Sequence, residues 1–502
     1  MVMNRANAVA TKTATVFLFL TFLRLASADS AQAEVATRLM LAGQDYELRV
    51  SDELQKYRGG EPISSVQFFK DGWPGGRGFL TSSVIVAGDD LGVLYSMHGV
   101  LSIKPLPFTD AVVVRVGSPV EATELTMLLQ SQKNIRYAHP DFVLPIEPRS
   151  VPSAEPYFGQ QWNLKNSGQD GATPGVDIGI ESAWAITRGS PNTVIAVLDL
   201  GFEQNHKDLN EAWAVNPKEI VGNKKDDDGN GLIDDINGWN FSTNSPKLIY
   251  GAAPNHGTAT AGIIGARING MGIAGVCPEC KILPIVVSGR VSEDASALGY
   301  AVSMGATVIS NSWGYALESP RTDVVADALS QAALRGRNGK GIPILFAMRN
   351  ASTDDCRGTN PDISSHPDVI AVSSVDFHDI KVPTSGFGKC LSFVAPSSGS
   401  TANGIPATDR PGAAGYNTDG TANFADLDFH KGFWGTSAAT PQVAGVFALL
   451  LSAEPELTRD QALSRIKASA IKSNPGEAQY DPQTGHSLKY GFGRVHAGHL
   501  FQ

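Results

Sequence analysis

Five stretches of the chain are dominated by apolar residues without alternation: TVIAVLD (193–199), KILPIVV (281–287), ATVISNS (306–312), IPILFAM (342–348) and DVIAVSSV (368–375). A strand with one wet face alternates apolar and polar positions, whereas a strand covered on both faces does not. Helical signals lie between these runs. Glu293 and Asp294 follow Ser292 in what reads as a first turn, where the helix dipole favours anions. A second helix follows Thr322-Asp323, and a third starts at Thr458, whose spacing to Gln461 is that of a capping box. Apolar strands alternating with helices predict an α/β fold, a doubly wound and mostly parallel sheet with helices on both faces. Functional residues in such sheets collect at the carboxyl ends of the strands.

The earlier part of the chain has a different character. DAVVVRVGS (110–118) reads as a strand, PVEATELTMLLQSQ (119–132) as an amphipathic helix, and IRYAHPDFVLPI (135–146) as another strand. The proline-rich polar segment EPRSVPSAEP (147–156) suits a linker. A small α/β domain over 34–150 is therefore expected before a large one over 151–502. At the N-terminus Arg5 and Lys12 precede the uncharged run Thr13–Leu23, and small residues follow. This is the layout of an export signal over 1–33, with cleavage after Ala28 or Ala33. The alternative, a membrane anchor, needs a longer run than Arg24 permits. No later segment is apolar enough for long enough to span, so a soluble exported product is expected.

Composition narrows the field. Among the 502 residues, 42% are hydrophobic and 18% charged, which describes a globular chain. A net charge of −10 with scattered lysines and arginines argues against a nucleic-acid partner. The four cysteines of an exported chain favour disulfides over metal ligation. Cys277-Pro-Glu-Cys280 fits a local bridge, a redox pair or half a zinc site. With no second CxxC the structural bridge is the expected reading, and Cys356 and Cys390 remain as the other pair. Connectivity itself is not fixed by sequence.

Three residues carry candidate chemistry. Asp199 ends the first apolar run, ahead of Leu200-Gly201. His256 opens HGTATAGIIGA (256–266), and Ser437 lies at a helix start in GTSAATPQVAGVFALLL (435–451), where Pro441 is expected within the first turn. A serine hydroxyl needs a base to take its proton, and the base needs a group that fixes its tautomer and stabilises its charge. Ser437, His256 and Asp199 supply these roles, and a helix N-terminus adds free N–H groups beside the nucleophile. Each residue alone has an ordinary reading as a turn former, helix cap or packed turn. A lipase-like esterase would need Gly-x-Ser-x-Gly and the order Ser, Asp, His, neither of which is present.

The long strings around these residues make the chain similar to the subtilisin-like serine proteases, the subtilases of the peptidase S8 family. HGTATAGIIGA and GTSAATPQVAGV resemble the family's histidine and serine signatures, and GFEQNHKDL (201–209) resembles the segment after its aspartate. The order Asp, His, Ser is the known subtilisin order. PYFGQQWNLKNSG (156–168) resembles the start of mature subtilase domains, including kexin-like ones, and HSLKYGFGRVHAGHL (486–500) resembles their end. Residues 110–146 look like the inhibitory propeptide of such enzymes, and 34–109 match less clearly.

The resemblance implies a secreted endopeptidase made as an autoprocessed zymogen, acting on protein or peptide substrates and held by its own propeptide. It implies that Asp199 orients His256, that His256 is the general base and acid, and that Ser437 attacks the scissile carbonyl. Asn350 and the Ser437 N–H would hold the oxyanion. SNSWG (310–314), with Ser312, Trp313 and Gly314, would pair with the substrate backbone as an added strand. Two positions depart from the family pattern. Leu200 stands where Ser or Thr is usual, and Arg349 replaces a glycine that walls the pocket for the substrate residue before the cut. Arg349 is expected either to narrow that pocket, to offer a cation to an acidic residue, or to swing out to solvent. These departures support one alternative, a secreted, catalytically impaired subtilase-like protein that binds peptides.

Calcium is the expected cofactor. DDDGNGLIDDINGWNF (226–241) places Asp226, Asp228, Asn230, Gly231 and Asp234 at the spacing of an EF-hand-type loop, with Asn237 where a bidentate glutamate would stand. The alternative is an acidic surface turn. The resemblance implies a second site from Asp208, Asn269 and backbone carbonyls near Arg267, Met271 and Ile273.

Overall fold

The structure is a computed structural model that describes residues 34–41, 44–56, 62–69, 77–106, 109–143, 155–249, 254–316, 319, 322–357, 362–420 and 423–501. The segment read as an export signal lies outside them. The chain divides into two units between Glu147 and Pro148, within the segment read as a linker.

The first unit is built from β1 (Glu34–Leu41), β2 (Gln44–Lys56), β3 (Pro62–Phe69), β4 (Arg77–Gly88), β5 (Ser102–Pro105), β6 (Val112–Arg115), α1 (Pro119–Gln130) and β7 (Ile135–Val143). All pairings are antiparallel, in the order β1-β2-β3-β4-β6-β5 with β7 on the other side of β4. The elements read over 110–146 form with slightly trimmed ends, and residues 144–146 lie outside the described part. Residues 34–109 add five strands that no sequence signal had marked. Helix α1 begins where Ser118 Oγ accepts from Glu121 N (3.2 Å) and Glu121 accepts from Gly117 N (3.1 Å). Its Ala122, Leu125 and Leu129 close a core with Val84, Val86 and Val114 of the sheet.

The second unit runs through α2 (Ile180–Trp184), β8 (Val194–Asp199), β9 (Trp239–Asn240), α3 (Pro254–Gly265), β10 (Lys281–Val286), α4 (Val291–Ser303), β11 (Val308–Asn311), α5 (Asp323–Arg335) and β12 (Ile344–Ala347). It continues with β13 (Ile370–Val375), β14 (Leu391–Pro396), the hairpin strands β15 (Ile405–Thr408) and β16 (Phe429–Phe433), α6 (Thr436–Ala453), α7 (Arg459–Ser469) and α8 (Pro475–Ala478). The main sheet has the order β14-β13-β12-β11-β8-β10-β9 with every pair parallel. Each of the five apolar runs supplies one of its strands.

The period of two along β8 divides the core. Ile195 and Val197 pack with Ala261 and Ile264 of α3 and Val443 and Phe447 of α6. Ala196 and Leu198 pack on the opposite face with Leu298 of α4 and Val325 and Leu329 of α5. Both faces are therefore covered, which is why the strands carry no polar alternation. The capping box at Thr458 forms, with bonds of 3.3 Å from Gln461 N and 2.9 Å to Gln461 Oε1.

One expectation is corrected. Pro441 is the sixth residue of α6, beyond the first turn. The missing N–H leaves the Ser437 carbonyl without its helical donor. The Ser312 hydroxyl takes that place, donating to Ser437 O at 3.1 Å.

Both disulfides form, Cys277–Cys280 and Cys356–Cys390. The second joins residues 34 apart in sequence, so loop-closure entropy assigns it roughly 3 to 4 kcal/mol. The Cys356→Ser/Cys390→Ser double variant should lose about that much in chemical denaturation. An unchanged midpoint would show that the loop is held by its packing alone.

Candidate active site

The cleft lies at the carboxyl edge of the parallel sheet. β8 delivers Asp199, which has no exposed surface. His256 comes from the first turn of α3, and its Nδ1 lies 2.8 Å and 3.0 Å from the two Asp199 carboxylate oxygens. The same carboxylate accepts from Leu200 N (2.7 Å) and from Thr260 Oγ1 (3.2 Å). Thr260 stands four residues beyond His256 on the same helix, so one face of α3 supplies both partners. Leu200 thus serves Asp199 through its backbone, which any side chain permits. Burial alone would depress the imidazole, but the charge and hydrogen bond of Asp199 outweigh it and raise His256 above its ordinary value. The Phe433 ring packs edge-on against His256 at 5.3 Å.

Ser437 enters from the N-terminus of α6. Its hydroxyl donates to Ser312 O at 3.2 Å, while Ser312 Oγ donates to Ser437 O, so the two serines are reciprocally bonded. His256, Ser437 and Asn350 line one cleft of about 360 Å³, together with Tyr416, His430 and Trp434. Asn350 follows β12. Its carbonyl oxygen accepts from Thr436 N (3.1 Å) and Thr436 Oγ1 (3.2 Å), which leaves its NH₂ as the donor end. Gly435 has φ +77°, and a Cβ there would lie 2.9 Å from Asn350 Nδ2. Glycine is needed at this point on both counts.

Of the SNSWG segment, Ser310 and Asn311 end β11 and Ser312 continues past the sheet edge to the nucleophile. Trp313 packs edge-on against Phe346 at 5.4 Å. Gly314 faces Asp362. The Arg349 side chain does not swing out to solvent but meets carboxylates of its own chain. Its guanidinium pairs with Asp362 at 3.1 Å and Asp355 at 3.5 Å, and its backbone N–H donates to Asp355 at 2.8 Å. Burial of the Asp355 carboxyl raises its pKa against the opposing effect of Thr353 and Arg349. The cation is therefore largely taken up by carboxylates of the protein itself.

The metal candidates separate into two groups. Asp208 is buried, its Oδ2 accepts from Ile273 N (3.1 Å), and its Oδ1 is buried with no partner among the described residues. Burial first, and the charge of Glu155 after it, pushes the Asp208 pKa up to about 7, with Asn269 bonding it in opposition. Glu155 accepts from Gly270 N (2.6 Å) and Gly272 N (3.0 Å) beside it. An orphaned buried carboxylate oxygen next to a second carboxylate and an amide fits a hard cation. Glu155 lies far from this loop in sequence, at the edge of the linker, and no local motif marks it.

In the 226–241 loop the carboxylates that meet are Glu219, Asp228 and Asp235, with ligand oxygens within 4.8 Å of one another. Asp226 instead accepts from Gly229, Asn230 and Gly231 N–H groups, and Asp234 from Lys224 N. Asn230 donates to Asp235 at 3.1 Å, and Asn237 to Ala214 O at 2.9 Å. Of the four residues expected as ligands here, only Asp228 joins the cluster, with Asn230 bonded to its rim. Asp235 adjoins the expected Asp234, and Glu219 precedes the motif altogether.

Known proteins bear directly on this geometry. The family model described as the subtilase family, peptidase S8, matches residues 190–493. The calcium-dependent protease of Nostoc sp. is 32% identical over 389 residues, covering 74% of this chain and 54% of that protein. Kexin of Saccharomyces cerevisiae is 30% identical over 366 residues, covering 69% of this chain and 39% of kexin. The chain thus spans about half the length, or less, of these relatives. The solved serine protease of Aeromonas sobria shares the fold, with a TM-score of 0.57, 22% identity, and coverage of 71% of this chain and 68% of that one. With the family model spanning the whole parallel sheet and all three of Asp199, His256 and Ser437, the chain belongs to the subtilase family.

Proposed function

We propose that this chain is an exported serine endopeptidase, made as a zymogen whose first unit is its propeptide. The observation that carries the reading is the buried Asp199 held on His256 in the same cleft as Ser437 and Asn350. The Ser437 oxygen attacks the scissile carbonyl carbon while His256 Nε2 takes the hydroxyl proton. Asp199 keeps the Nδ1–H tautomer and stabilises the imidazolium. The tetrahedral oxyanion is met by the Asn350 NH₂ and the Ser437 N–H. Collapse breaks the C–N bond, the amine leaves with the proton from His256, and an acyl-enzyme remains. Water, deprotonated by His256, then releases the acid. The segment 312–314 gives the substrate backbone an edge to pair with.

Calcium would be held by Asp208, Glu155 and Asn269, with a further set from Glu219, Asp228 and Asp235. It supplies positive charge to carboxylates that folding brings together, and the name of the Nostoc relative supports that reading. The impaired alternative rested on Leu200 and Arg349. Leu200 supports Asp199 through its N–H, and Arg349 is paired away from the catalytic residues, so neither favours it.

A fluorophosphonate probe should label Ser437 in the processed protein, and the absence of an adduct would favour a non-catalytic peptide binder. Isolated Ser437→Ala protein should stay unprocessed, whereas wild type should be cut within about residues 145–155. An active form whose N-terminus starts near residue 35 would contradict the propeptide assignment.

The acid limb of kcat/KM reports the loss of a proton from His256, because only the neutral ring is a base. With His256 raised by Asp199, its midpoint should lie above the ordinary 6.5. Asp199→Asn should move the limb down and reduce kcat by roughly 10⁴-fold. A limb that stays in place would disconnect Asp199 from the base.

Calcium should raise Tm in wild type, and Asp208→Asn should shrink that rise. An undiminished rise would remove Asp208 from the metal site.

A further inference from the structure

Arg349 directly precedes Asn350, which lines the cleft with Ser437. β11 and β12 are neighbours, with Ser310 beside Leu345 and Asn311 beside Phe346. Both chains leave the sheet at its carboxyl edge, one as 312–314 toward Ser437 and the other as 348–350 toward the oxyanion donor. Asp362 lies beneath the first of them, since a Cβ on Gly314 would be 3.6 Å from Asp362 Oδ2. Arg349 reaches that same oxygen from the second at 3.1 Å and extends to Asp355. The two carboxylates are 2% and 0% exposed and the guanidinium 17%. The recess that Asp362 and Arg349 share with Tyr315, Thr322 and Ile363 has room for only about 20 Å³, close to one water. A buried carboxylate demands a cation with matching donors, and a guanidinium fork is that cation.

We infer that Arg349 is a built-in occupant of this recess, standing where a basic substrate side chain would sit, and so determines a preference for an uncharged residue on the acyl side of the cut. The inference rests on the endopeptidase reading and names its specificity. Arg349 blocks bases by filling the recess and satisfying its acids. It rejects acids because its own charge is already matched. Truncating it would leave Asp362 and Asp355 lining an opened cavity, which lysine or arginine of a substrate would complete. Removing Asp362 would instead release Arg349 to meet an acidic residue.

Internally quenched peptides of one sequence, varied only at the acyl-side residue among Leu, Glu, Lys and Arg, test this with the processed protein. Wild type should favour Leu over Arg and over Glu. In Arg349→Ala the Arg-to-Leu ratio of kcat/KM should rise at least about tenfold, and in Arg349→Ala/Asp362→Asn that gain should vanish. Asp362→Asn alone, which keeps Arg349, should raise the Glu-to-Leu ratio. It provides an independent arm if Arg349→Ala does not fold. Unchanged ratios in variants that still label at Ser437 with a fluorophosphonate would overturn the inference, as would a wild type that cuts after Arg as readily as after Leu. Failure of wild type itself to label would sink the endopeptidase reading instead.

Discussion

A carboxylate with no exposed surface sits at the end of the central strand, and the cleft is arranged around its charge. Burying a carboxylate costs several kcal/mol unless its lone pairs are met. Asp199 is met by its own chain neighbour Leu200 and by two groups from one face of α3. That requirement fixes the register of β8, opposite Val286 of β10, and the position of α3 over the sheet. It also fixes the imidazole, whose free nitrogen is then turned to the cleft. The base is oriented by the same contacts that make its buried partner tolerable.

The nucleophile's helix depends on a different compensation. A proline inside α6 removes a donor from the carbonyl of Ser437, and Ser312 supplies one from the neighbouring strand end. Segment 312–314 and the start of α6 are thereby joined by a bond that replaces the missing helical one. A hydrophobic helix with so few polar partners would otherwise have little to fix its angle over the sheet.

The parallel sheet was legible because its strands are buried on both faces, and Asp199, His256 and Ser437 could be singled out because each lies in a long local string. Distances between strings were not legible. Glu155 and Glu219 lie outside the motifs they serve, and Thr260 and Asp235, though inside quoted strings, take their partners through tertiary packing. Arg349 shows the limit most plainly. Its position one residue before Asn350 could be read, but its direction depends on Asp355 and Asp362, which return from a loop beyond the strand. The acidic loop shows the same division between local and distant partners. Asp226 is matched by backbone N–H groups of its own turn, while Asp228 and Asp235 of the loop converge with Glu219 from before it.

Thr436 bonds the Asn350 side chain twice and immediately precedes Ser437 in the chain. In the proposed mechanism, attacking oxygen and charge-receiving amide are therefore tied to one piece rather than aligned across a gap. A thermal displacement of the helix carries both in the same direction by nearly the same amount. The separation that matters for the reaction is thereby insulated from the motion of the helix, and breathing of the cleft is left to change access rather than alignment.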